Sequence, residues 1–174
     1  MGEYHKAVVL KRDRVTVDKF ITSWDYDNGA KIDEHSYITN SYVSAFECII
    51  YKNPQRVIWA GDYAPPCKMR RTTVYDRCIE SKKARQSITV KEINRRFIIN
   101  HTKRIFVDKT KTTENSMGLR FHPLPFLTME ASNTDSYKEI NPHIGRWARD
   151  RISIDSEVPK GYKELEFNLT TLSK

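Results

Sequence analysis

Apolar residues fall along this chain in short blocks separated by charged and turn-forming stretches, and the period inside each block predicts what it forms. The clearest block is Tyr42, Val43, Phe46, Ile49 and Ile50, at spacings i, i+1, i+4, i+7 and i+8. All five then share one face of an amphipathic helix over about residues 41–52, capped by Asn40 or Ser41 and stopped by Asn53-Pro54. Cys48 lies at the edge of that face and reads as packing. Ahead of the helix, His5–Leu10 and Arg14–Phe20 are β-branched runs broken at Arg12-Asp13, which predicts two strands or a hairpin. Asn28-Gly29 is a tight-turn signal, and Ile21–Ile38 around it reads as a loop or a hairpin tip.

Beyond the helix, Arg56–Gly61 has the length and composition of a buried strand. Pro65-Pro66 forces an extended exit, and Val74–Lys83 reads as a short helix. Ile93 and Phe97–Ile99, then Ile105–Val107, read as strands joined by the polar connector Asn100–Arg104. Lys109–Gly118 is polar and reads as mobile. Phe121–Leu127, with two prolines, reads as an extended connection across the surface. Arg149–Asp155 alternates like a strand, and Tyr162–Leu169 reads as a closing strand. The fold class expected is α+β: one compact domain over residues 1–174, mainly antiparallel sheet, with one clear helix and minor ones.

Composition supports a true core. The 174 residues are 39% hydrophobic and 11% aromatic, with Trp24, Trp59 and Trp147 among the large side chains. The apolar patch Ala7–Leu10 is too short for a signal peptide or a membrane span, so a cytoplasmic protein without a membrane partner is expected. Cys48, Cys67 and Cys78 are odd in number and lack zinc-site spacing, which reads as reduced thiols. Charge changes the picture most. Residues 1–67 carry 8 basic and 9 acidic side chains, residues 68–111 carry 14 and 4, and residues 112–174 carry 8 and 9. The whole excess of +8 therefore lies in the central segment, which points to an acidic or phosphate-bearing partner. The alternative is that these charges spread over a solvated surface.

Within that segment Arg70, Arg71, Lys82, Lys83, Arg95, Arg96, Lys103 and Arg104 are candidates to track phosphates, with Tyr75 and Phe97 available for stacking. Trp24 and Tyr63, with Arg70, are the candidate anchors for a partner. Asp25, Asp27, Asp33, Glu34 and His35 form the densest group of oxygen and imidazole ligands, suited to magnesium, calcium or manganese. As a calcium loop the pattern fails, because Asn28 stands where the sharp-turn glycine belongs. A solvated acidic loop is the competing reading. Asp62, His101 and His35 are the candidate catalytic residues, with Asp108 and His122 as further members of a site assembled across the fold. No hydrolase elbow, phosphate loop or dinucleotide glycine pattern is present.

Trp59-Ala60-Gly61-Asp62-Tyr63-Ala64, Ile99-Asn100-His101-Thr102-Lys103, His122-Pro123-Leu124-Pro125 and Trp147-Ala148-Arg149-Asp150 give the chain a resemblance to uncharacterised small proteins of tailed bacteriophages and prophages. The resemblance spans Glu34 to Ile154 and carries no catalytic residues with it. It implies a viral protein in a bacterial cytoplasm that inhibits or redirects a host component, a defence system among the options, through a basic surface. The partner would be a host protein, nucleic acid or a small anionic ligand. No cofactor is evident. A divalent metal enters only under the alternative of a metal-assisted nuclease or phosphoesterase. A non-enzymatic nucleic-acid-binding or virion-assembly protein is the third reading.

Overall fold

The computed structural model describes residues 2–68 and 70–172. The chain runs β1 (His5–Leu10), β2 (Val17–Thr22), α1 (Ile32–His35), α2 (Ser41–Ile49), β3 (Gln55–Gly61), α3 (Val74–Arg77) and β4 (Lys82–Lys83). It continues through β5 (Phe97–Asn100), β6 (Ile105–Asp108), α4 (Pro123–Leu127), β7 (Met129–Glu130), α5 (Thr134–Lys138), β8 (Arg151–Asp155) and β9 (Lys163–Glu164). One sheet has the order β4-β2-β1-β3-β8-β5-β6-β9, with β7 paired to β3 off that path. The pairings β1–β2, β1–β3, β3–β8, β5–β6 and β5–β8 are antiparallel, and the two-residue pairings β2–β4, β3–β7 and β6–β9 are parallel. This is the expected α+β architecture. No helix among the described residues is long and apolar enough to cross a membrane.

β1 and β3 are buried on both faces because each face carries its own cover. On one face α2 and α4 pack Tyr42, Phe46, Leu124 and Phe126 against Ala7, Val9, Trp59, Ile152 and Ile154. Helix α2 starts where expected: the Asn40 side chain accepts from the backbone N–H groups of Tyr42 and Val43. It ends at Ile49, and Lys52 takes a left-handed turn (φ 50°), so the chain leaves the helix before Pro54 is reached. On the other face α3 brings Val74, with Cys78 behind it, onto Val8, Phe20 and Ile58.

Several segments differ from the expectation. Asn28-Gly29 joins no hairpin; a 3-10 turn over Ser23–Tyr26 ends in left-handed Asp27, and α1 follows. Phe121–Leu127 is no surface connection: Pro123 opens a helix whose five residues are all buried. Proline is tolerated at a first turn, where its missing N–H has no partner to lose, and His122 Nδ1 accepts from Leu124 N at 3.1 Å as the cap. Val74–Lys83 splits into α3, a 3-10 turn and β4. Of Tyr162–Leu169 only Lys163–Glu164 pair as a strand, while Phe167 and Leu169 anchor the rest in the core. Lys109, expected in a mobile stretch, is buried.

Candidate anion-binding site

Register places two like charges face to face. Arg56 on β3 stands opposite Leu10 of β1 and opposite Arg151 of β8, so Leu10, Arg56 and Arg151 form one row across three strands. Directly opposed cations destabilise a sheet. The row opens into a cleft of about 800 Å³ whose walls include Lys11, Arg12, Asp18, Gln55, Arg56 and Arg151. Among the described residues Lys11, Arg12, Arg56 and Arg151 make no ion pair. Burial, and then the neighbouring Arg14 and Arg151, pull Arg56 below its ordinary pKa.

The loops beneath this row hold one another. Arg14 and Arg149 both adopt left-handed backbone, with φ of 64° and 69°. Such conformations cost free energy outside glycine and persist only where the surroundings impose them. Arg149 Nη1 donates to the Arg14 carbonyl at 2.6 Å, and Arg56 Nη1 donates to the Arg149 carbonyl at 3.2 Å. Asp150, buried below, pairs with Arg14 at 3.4 Å and with Lys103, and accepts from Asn100 Nδ2 at 2.9 Å. Its charge also acts on Arg56, but its ion pairs are with Arg14 and Lys103 and not with the row. Arg70 is exposed and close enough to act on the charges of Asp13 and Arg77.

A second cluster is internal. Glu47 on α2 is fully buried, with its Oε2 2.5 Å from Lys109 Nζ and its Oε1 3.2 Å from His122 Nε2 and 3.7 Å from Arg95 Nε. Glu92 closes the group, 2.5 Å from Arg95 and 2.7 Å from Lys109. Because His122 Nδ1 already accepts from Leu124, the neutral ring carries its proton on Nε2, facing Glu47. Burial keeps His122 below its ordinary pKa although Glu47 acts the other way. Burial would raise Glu92, but Lys109 and Arg95 outweigh it and hold its pKa at about 2.

The eight basic candidates of the central segment are therefore not brought together. Lys82 and Lys83 lie on β4 at one edge of the sheet, whereas Arg96, Lys103 and Arg104 sit around β5 and β6 towards the other. Arg95 is 3% exposed within the internal cluster. Arg96 is held by Asp108 in a two-pronged pair, Lys103 by Asp150, and Arg104 lies over the Tyr162 ring. Arg70 and Arg71 are exposed. Of the stacking candidates, Phe97 packs edge-on against Phe106, and Tyr75 lies under Lys6 Nζ at 3.7 Å.

The acidic and histidine candidates are also dispersed. Asp25 pairs with Lys83 at 2.9 Å, Asp27 ends the 3-10 turn, Asp33 is exposed, and Glu34 accepts from Lys31 N. His35 is buried with both nitrogens engaged: Trp59 Nε1 donates to Nε2 at 2.9 Å, so Nδ1 donates to the Gly29 carbonyl at 3.0 Å. Burial lowers its pKa to about 4. Asp62 accepts from Tyr4 N, while His101 contacts Ser153 Oγ at 2.7 Å and Tyr162 OH at 3.1 Å. A serine hydroxyl on an imidazole is the first element of nucleophile activation, but Ser153 is buried in β8. Among the described residues no group of three or more His, Cys, Asp or Glu side chains is placed to hold a metal ion. Trp24 and Tyr63 are exposed, at 54% and 60%.

Lys11, Arg12, Arg56 and Arg151 lie in the two flanks whose charge balances, so a segment count passes over them. The sequence places Lys11 and Arg12 just after one predicted strand and Arg56 at the start of another, but nothing in it sets Arg151 beside them. No family model, curated protein or solved structure matches the chain.

Proposed function

We propose that this chain is a non-enzymatic binding protein that takes a phosphate-bearing polyanion on the arginine row of β3 and β8. The observation that carries the reading is the in-register opposition of Arg56 and Arg151, with Lys11 and Arg12 beside them and, among the described residues, no carboxylate in an ion pair with any of the four. A bound anion would relieve that repulsion, and guanidinium groups match phosphate oxygens in a fork. In the bacteriophage setting that the sequence resemblance implies, the protein would occupy or shield a nucleic acid, or an anionic ligand, that a host component needs. The test is a salt series against single- and double-stranded DNA and RNA and against inorganic polyphosphate. The wild-type chain binds with a steep fall in log affinity against log salt, and Arg56→Ala/Arg151→Ala flattens that slope by about 2. An unchanged slope in the double variant, or no binding at low salt, disproves the reading.

A further inference from the structure

The face of the sheet that carries the arginine row also carries exposed aromatic side chains at its opposite end. Direct pairing shows the continuity: Lys6 lies opposite Thr22 and Ala60, Val8 opposite Phe20 and Ile58, and Leu10 opposite Arg56, all on the face covered by α3. Two residues before Lys6, Tyr4 meets Trp24 edge-on, their ring centroids 6.1 Å apart and the rings 44% and 54% exposed. Tyr75 of α3 lies close enough to Tyr4 and Asp62 for their charges to act on it, and it holds Lys6 against its ring. At the sheet edge β4 adds Lys82 and Lys83, with Arg85 just beyond, and Lys83 shares the face of Phe20. Tyr26 locks that edge to the 3-10 turn carrying Trp24, its hydroxyl donating to the Gln86 carbonyl and accepting from Gln86 N.

The two ends of the face differ in what they supply. Asp25, Asp62 and Asp76 act against the charge of Lys6, Lys83 and Arg85, so the aromatic end supplies ring surface more than charge. The arginine end supplies charge without an exposed ring. Rings beside cations, continuous with an unpaired arginine row, are the two components by which proteins hold unpaired nucleotides. We infer that the Trp24–Tyr4 pair is a base-stacking platform, and that the polyanion of the proposed function is a single-stranded nucleic acid lying around α3 from the rings to the arginine row. From Tyr4 to Leu10 the strand spans ~20 Å at ~3.3 Å per residue. At ~3.4 Å per nucleotide of a stacked strand, a path around α3 between those ends takes at least about six nucleotides. The inference rests on the arginine-row reading for its phosphate contacts but adds a ligand class and a second contact.

The experiment is a fluorescence titration of the intact chain. Trp59 and Trp147 are buried, so a ligand that stacks on the surface changes the emission of Trp24. Oligothymidylate of ~12 nucleotides quenches that emission, whereas inorganic polyphosphate binds without quenching. By anisotropy of the labelled oligonucleotide, Trp24→Ala weakens binding about 10-fold and Trp24→Phe stays within about 3-fold of wild type. The Arg56→Ala/Arg151→Ala variant still quenches fully at saturation. Oligothymidylate that binds with unchanged emission and an unaffected Trp24→Ala variant overturns the platform and leaves the arginine row standing. Absence of binding to both oligothymidylate and polyphosphate at low salt overturns the two together.

Discussion

The buried cluster around Glu47 and the arginine row around Arg56 are built from the same residue types and put to opposite use. In the first, Lys109 and Arg95 find Glu47 and Glu92 within hydrogen-bonding or ion-pair distance, and the group is closed. In the second, Arg56 and Arg151 face each other in register while the buried carboxylate of Asp150 makes its ion pairs with Arg14 and Lys103. A balanced buried cluster holds a fold together at a desolvation cost. An unbalanced exposed one carries a standing repulsion that a bound anion would relieve. Charge composition alone does not separate these cases, because the partner of each cation is chosen by the fold.

The largest effect expected is that of acidification, which acts on the buried interior, the cluster's His122 included, and leaves the arginine row charged. His5 and His35 have folded pKa values near 4 because burial penalises the imidazolium, against 6.5 in the unfolded chain. Above pH 6.5 both states hold them neutral and nothing changes. As pH falls through 6.5 the unfolded chain binds protons that the folded one refuses, and stability drops until about pH 4. That is about 3 kcal/mol for each of the two histidines. Buried His122 is displaced in the same direction and steepens the loss. Denaturant unfolding between pH 7 and 4 measures it, and His5→Met should flatten the curve. A stability that is level over this range would show that these histidines take up protons in the fold.

Next in size is Glu47→Ala. Removing that carboxylate leaves Lys109 and Arg95 buried with Glu92 alone, a loss of about 3–5 kcal/mol in urea or thermal unfolding. Arg56→Ala/Arg151→Ala should change stability by no more than about 0.5 kcal/mol, or raise it slightly, because it removes a repulsion. A loss above 2 kcal/mol there would mean that the row is part of the scaffold. Comparably small is Lys103→Ala, which removes a partly exposed ammonium from Asp150 and leaves Arg14 and Asn100 in place. It should cost under about 1 kcal/mol by thermal unfolding.

Helix α2, strand β3, the β1–β2 hairpin and the β5–β6 pair were all legible in the sequence, since each is a local period with a stop signal on either side. Helix α4 was not, because Pro123 and Pro125 read as breakers when the first turn of a helix tolerates both. The two-residue strands β4, β7 and β9 have no period to read. For the site, Arg56 and Arg151 are 95 positions apart in the sequence and adjacent only through the β3–β8 register, which no local pattern encodes. Trp24, by contrast, stood out as a large aromatic in a polar loop, and its exposure follows from that setting.

The same β3–β8 register bears on how the molecule comes into being. Strands β4, β2, β1 and β3 form one half of the sheet and β5, β6 and β9 the other, and β8 is the strand that lies between them. A nascent chain on the ribosome can close β4-β2-β1-β3 and pair β5 with β6 as it emerges, but the two parts stay unjoined, each with an open edge, until Arg151–Asp155 has cleared the exit tunnel, and β9 follows later still. Joining them is a contact between segments about a hundred residues apart, which is slow to form. The arginine row is completed in that same event, so an anion already held by Arg56 would favour the arrival of Arg151 and draw the sheet shut.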